Sequence, residues 1–260
     1  MSNKAIIQFD EFSISLATLR KLPADRVAAF SALSFAVTEV NVLRRVFLSQ
    51  AHDYIGEKLI DEAINSQKLV VLRTWSSKLF EAREFLEQLC KRKSKIKDSD
   101  LLSLSQDALV EFNKSTTTEG YQIARDIRHE VANHYSFDVA KKNLPHVHSD
   151  ALCNFYIHQH GGNDYFPLGE AVMFHGRLHR KWSSLLDLEE RRSKLDHWFE
   201  WCQDATSALS QSHAKFAEKL IFEPLGRNTF RQRTYWVPPS LVGHPFDCLT
   251  PVIFREDLAP

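Results

Sequence analysis

Between Gly56 and Gly120 the chain contains neither glycine nor proline, although it runs there through 57–119. A stretch of that length without the two residues that break regular backbone can hardly be built of short strands and tight turns, because turns draw on glycine for positive φ and on proline for a fixed one. It is the material of long helices. The whole chain has only 8 glycines in 260 residues, which extends the same reading to the rest.

Hydrophobic spacing places the helices. From Pro23, a residue suited to a first helical turn because its missing N–H would be unpaired there anyway, Val27, Phe30, Leu33, Val37, Val40, Leu43 and Phe47 recur in steps of three and four. Leu72, Trp75, Leu79, Ala82, Leu86 and Leu89 repeat the rhythm in a second helix starting near residue 56 and ending at the basic run 91–97. Asp98 to Asp100 offers capping side chains to a short third helix with Leu101, Leu104, Ala108 and Phe112. A fourth, 119–135, carries Ile123, Ile127, Val131 and Tyr135 at i, i+4 spacing. A fifth begins near Leu188 and stops at Pro224 and Gly226. Between the last two, aromatic segments flank His160-Gly161-Gly162-Asn163, the signature of a β-hairpin excursion. Six of the nine prolines lie from Pro224 onward, so the end of the chain reads as an extended tail draped over the helices. The expected fold is all-α: an antiparallel helix bundle with a long C-terminal helix, a hairpin and a tail, in one domain, 1–260, with a core over about 24–140 and an extension over about 150–260.

Composition removes several classes of function. Lys+Arg and Asp+Glu balance at 33 each, so the surface as a whole is no cationic footprint for nucleic acid, though a local patch is allowed. Three basic clusters, 91–97, Arg177 to Lys181, and Arg227 to Arg233, read as solvated loops or helix ends. Wholly apolar runs reach only about four residues, as in Leu69 to Leu72, against the ~20 that span a bilayer. Asp10 interrupts any secretory apolar region. Cys90, Cys153, Cys202 and Cys248 form no C-x-x-C pair and read as reduced, mostly buried thiols of a cytoplasmic protein.

The chemistry concentrates in Arg125-Asp126-Ile127-Arg128-His129-Glu130-Val131-Ala132-Asn133-His134-Tyr135. On a helix turning about 100° per residue, His134 falls about 20° from Ile127, among the apolar side chains, while Arg128 flanks that face about 100° away. An imidazole among Ile and Val is partly desolvated, which favours its neutral form and suits it to act as a base. The plainer reading is a core histidine paired with Glu130 one turn earlier.

Arginine, a polar residue, four more residues and then histidine, near the end of a helix that follows three others, resembles the pattern of the HEPN superfamily (higher-eukaryote and prokaryote nucleotide-binding). The resemblance covers about 24–140. It implies a metal-independent endoribonuclease in which the ribose 2′-hydroxyl attacks the adjacent phosphate and leaves a cyclic phosphate end. Carried onto this chain, His134 is the general base or acid, Arg128 stabilises charge on phosphorus, and His129 or Asn133 orients substrate, with Glu130 and Tyr135 in support. One branch of the family, toxins held by an antitoxin, modifies a tyrosine two residues past the histidine; here Ser136 stands there and Tyr135 one place earlier. The resemblance implies RNA as substrate, a role in defence or growth control, an antitoxin or regulatory partner, no cofactor, no metal and no membrane. It also implies a homodimer, with the 119–135 helices facing across a two-fold axis.

Two other functions compete with this one. One is a non-catalytic interaction or nucleotide-binding module of the same fold. The other is a metal-dependent hydrolase using Asp126, Glu130 and His134, one turn apart. His175 and His179 form a further pair at metal-ligand spacing, without an obvious third ligand. His146 and His148 read as exposed, as do His158 and His160. Trp182, Trp198 and Trp201 read as packing aromatics.

Overall fold

The computed structural model describes residues 8–91, 95–130, 136–157, 164–181, 188–226, 231–238, 242–244 and 249–252. In chain order it runs β1 (Gln8–Ser13), α1 (Leu16–Leu19), α2 (Ala24–Leu48), α3 (Lys58–Lys91), α4 (Ser99–Asn113), α5 (Glu119–Glu130), α6 (Phe137–Asn143), α7 (Pro167–Glu170), α8 (Gly176–Lys181), α9 (Leu188–Phe216), α10 (Glu223–Leu225) and β2 (Arg231–Trp236). The fold is an all-α bundle with one small two-stranded sheet. The glycine-free stretch forms α3 and α4, and Asp98 caps α4 as expected, its side chain accepting from the Leu101 N–H. A π-helical segment, Ala217–Phe222, prolongs α9 to α10, and Gly226 with φ 77° ends the run.

The sheet is a departure from the sequence reading. The tail does not simply drape: β2 pairs antiparallel with β1, from Gln8 opposite Trp236 to Ser13 opposite Arg231. Charge explains the choice of partner. Glu11 lies opposite Arg233, and opposite charges facing across a strand pair stabilise it. Part of the third basic cluster is thus an edge strand matched to an acidic one.

The chain groups into two compact units: 1–42, 78–115 and 204–248 in the first; 43–77, 116–203 and 249–260 in the second. The first has a core of Leu33, Val40, Leu79, Leu86, Phe112 and Leu209. Arg26 Nη2 lies 3.1 Å from Asp98 Oδ1 and 2.9 Å from Asp100 Oδ2. Burial pushes the Asp98 carboxyl up, but its hydrogen bonds to Arg26 and Leu101 hold it below the usual carboxylate range. His213 stacks on Phe30 at 5.1 Å and has its Nε2 2.9 Å from Ser34 Oγ.

In the second unit Phe199 packs against Phe47 at 5.0 Å and against Trp75 at 6.1 Å. Trp198 and Trp201 are fully buried, as their spacing implies, whereas Trp182 lies outside the described residues. The hairpin excursion appears as one antiparallel bridge, Tyr156 with Tyr165, whose rings stack at 6.4 Å while Tyr165 Oη lies 3.0 Å from Ser66 Oγ. His158 and His160 lie outside the described residues. The thiols are less uniformly buried than expected. Cys202 is buried and its thiol is pushed well up by desolvation, Cys90 is half-buried, and Cys153 is exposed.

Candidate functional site

α5 starts where Thr118 Oγ1 accepts from the Tyr121 N–H, an N-cap bond that satisfies one of the first turn's free donors. The next residue, Glu119, lies beside Lys194 and 2.9 Å from His197 Nδ1, both on α9. The Lys194 hydrogen bond, with that of His197, holds the Glu119 carboxyl below its ordinary range. At Gly120 the two helices touch: a Cβ there would fall 2.0 Å from the His197 carbonyl oxygen. One turn on, Tyr121 meets Trp201 edge to face at 5.8 Å. Ile123, Ala124 and Ile127 are then sealed, at 3%, 0% and 1% exposure. The expected apolar face is buried as far as Ile127, with α9 of the same chain against its first turn at Gly120, whereas Val131 and Tyr135 lie outside the described residues.

The other side of α5 is cationic. Arg177, on α8, is 1% exposed and its Nη2 donates to the Asp126 carbonyl. Lys181 Nζ lies 3.2 Å from the Asp126 carboxylate and Arg125 Nε 3.7 Å from it. This corrects the reading of the second basic cluster as solvated: one guanidinium of it is buried and fastens α8 to α5. Sequence gave no signal for this, since a buried arginine between His175 and His179 looks like any basic helix end.

Arg128 is half-buried on the flank of α5. His129 and Glu130 belong to the helix, but their side chains, like all of Asn133, His134 and Tyr135, lie outside the described residues. Among the competing metal ligands, Asp126 is already matched by two cations. His179 Nδ1 lies 3.1 Å from the His146 carbonyl and His175 packs edge-on against Phe174 at 5.2 Å. Among the described residues no three His, Cys, Asp or Glu side chains gather as a metal site. His146 and His148 are exposed, as expected.

α8 reaches this position through a second close approach. A Cβ at Gly176 would lie 2.9 Å from the Asn143 carbonyl oxygen of α6. α6, which follows directly after Tyr135, is capped by Ser136 Oγ accepting from Val139 N–H at 3.3 Å and ends in Lys141 and Lys142.

No family model matches the chain, and no match is found among curated proteins or solved structures.

Proposed function

We propose that the chain is a metal-independent endoribonuclease of HEPN type, with Arg128 and His134 as its catalytic pair. The observation that carries the reading is the position of Arg128: half-buried, flanking the packed face of α5, and preceded by α2, α3 and α4 in the order the resemblance requires. In this chemistry His134 takes the proton of a ribose 2′-hydroxyl. The 2′-oxygen attacks phosphorus, the bond to the 5′-oxygen breaks, and that oxygen leaves as a hydroxyl once protonated. Arg128 donates its planar fork of N–H groups to the non-bridging oxygens as their charge grows. The products are a 2′,3′-cyclic phosphate and a 5′-hydroxyl. Activity of this kind fits defence or growth control, held in check by an antitoxin or regulatory protein.

The test is cleavage of RNA by the purified protein in excess chelator, with product ends identified. Cyclic phosphate ends, lost in His134→Ala with the helical signal intact, support the proposal. Full activity in His134→Ala, or a requirement for a divalent ion, overturns it. A second reading, a non-catalytic module, draws on Arg177: a buried guanidinium committed to the α5 backbone makes cations structural at this helix, and Arg128 can serve the same end. Arg128→Lys separates the two. It keeps the charge but loses the fork, so it abolishes cleavage at unchanged melting temperature on the first reading, and lowers the melting temperature on the second.

A further inference from the structure

The β1–β2 ribbon has two unlike faces. The strands pair antiparallel, and alternate residues of a strand share a face. Phe12 falls on one face with Thr234 and Trp236, and that face turns toward the helices, since the Phe12 ring meets Phe222 edge-on at 5.5 Å. Glu11, Arg231, Arg233 and Tyr235 fall on the other. Both arginines there are exposed, Tyr235 is 49% exposed and Glu11 is half-buried.

A hydrogen bond sets the tyrosine. Register puts Phe9, not Glu11, opposite Tyr235, yet Tyr235 Oη donates to Glu11 Oε2 at 2.8 Å. To reach a diagonal neighbour roughly 7 Å away, the ring lies down across the ribbon, one π face against the strands and the other outward. The same bond occupies the carboxylate. Arg233 stands opposite Glu11, but neither it nor Arg231 makes an ion pair among the described residues, so both guanidinium forks are open to an anion. Along β2 there follow a cation, a second cation and a flat ring, about 7 Å apart. Steps of that order separate successive phosphates in an extended single strand of nucleic acid, whose bases stack on aromatic rings while cations track its backbone. An acidic peptide would match the arginines but offers nothing to the ring. A double helix hides the base faces that the ring would meet.

We propose that this face of the β1–β2 ribbon binds single-stranded RNA, with Arg231 and Arg233 on its phosphates and Tyr235 under a base. The choice of RNA rests on the catalytic reading above; the surface itself rests on the ribbon alone. The probe is a fluorescent oligouridylate of about 12 nucleotides carrying 2′-O-methyl groups, which block attack by the 2′-oxygen so that binding is read without cleavage. Anisotropy with the full chain in chelator should give a dissociation constant of roughly 1–100 µM. Two phosphate contacts should cost about sevenfold in affinity between about 50 and 200 mM salt, and Arg231→Gln with Arg233→Gln should flatten that dependence. Tyr235→Ala should weaken binding at least about fivefold, the loss of one stacked base. Glu11→Gln keeps an acceptor for the Tyr235 hydroxyl and removes this face's carboxylate, so it should tighten binding. Trp236→Ala, on the other face, should leave binding unchanged. Unaltered melting curves verify that the variants fold. No binding up to about 200 µM protein, binding indifferent to the arginine pair or to Tyr235→Ala, or a loss in Trp236→Ala as large as in Tyr235→Ala overturns the proposal. So does tighter binding of the same sequence as DNA, or of phosphatidylserine vesicles through the same two arginines, by giving the face to another partner. A parent that binds as described but does not cleave RNA supports the surface and overturns only the catalytic reading.

Discussion

α5 and α2 treat their apolar residues in opposite ways. On α5, Ile123, Ala124 and Ile127 are sealed, and a glycine lets α9 approach to backbone contact. On α2, a stripe centred on Phe35 faces outward. An apolar helix face does not by itself say where a partner binds. What matters is whether a neighbour in the same chain can come close enough to cover it, and at Gly120 the missing Cβ allows that. Over the outer stripe of α2 no equivalent neighbour lies among the described residues.

Cutting a large aromatic side chain beside each helix should separate the two faces most widely. Trp201→Ala empties the space beneath Tyr121 and should cost about 4 kcal/mol, while Phe35→Ala should stay within about 0.5 kcal/mol; thermal unfolding measures both, and similar losses would erase the distinction. Next in size is Gly120→Ala. Its Cβ collides with the His197 carbonyl, so the helices must separate, at a cost of about 3 kcal/mol, or roughly 6–12 °C in a chain of this size. Denaturant titration should show Asp98→Ala losing about 2 kcal/mol, because it removes the α4 cap and leaves the half-buried Arg26 guanidinium with Asp100 alone.

The smallest effects are in pH. Burial pulls the His213 imidazole below its ordinary value, so the unfolded chain takes up the proton first. The stability this gives is complete above pH ~6.5 and is lost as pH falls through the folded value. Glu119 is likewise held low, by Lys194 and His197, and its contribution is present above about pH 4.5 and lost below it. Melting temperatures across pH should therefore show a shoulder that His213→Gln flattens near neutrality and a steeper acid limb that Glu119→Gln flattens. If both variants follow the parent curve, neither group is linked to folding.

Much of the helical framework was legible in sequence because it follows from local rules. The 57–119 stretch has nothing to break a helix, Asp98 has a cap's side chain in a cap's position, and Gly226 can take the φ that stops α10. What escaped was long-range. β1 is six residues with little strand character of their own, and the groups that match its Glu11, Arg233 opposite it and the Tyr235 hydroxyl that donates to it, lie far along the chain. Arg177 reads as a surface cation until α8 is set against α5. At the candidate site the motif residues were legible by spacing. The cationic surroundings of Asp126 were not, since they come from α8, outside the stretch the motif occupies.

The proposal rests most directly on the chemistry of Arg128 and His134. A single-turnover assay settles it: an RNA oligonucleotide in excess chelator, with parent, Arg128→Lys and His134→Ala protein at matched folded concentration, and product ends resolved. We expect 2′,3′-cyclic phosphate ends from the parent and at least about a hundredfold slower cleavage in each variant, within the range removal of one acid–base or charge-stabilising group produces. Cleavage at the parent rate by either variant, or none by the parent until a divalent ion is added, would contradict it.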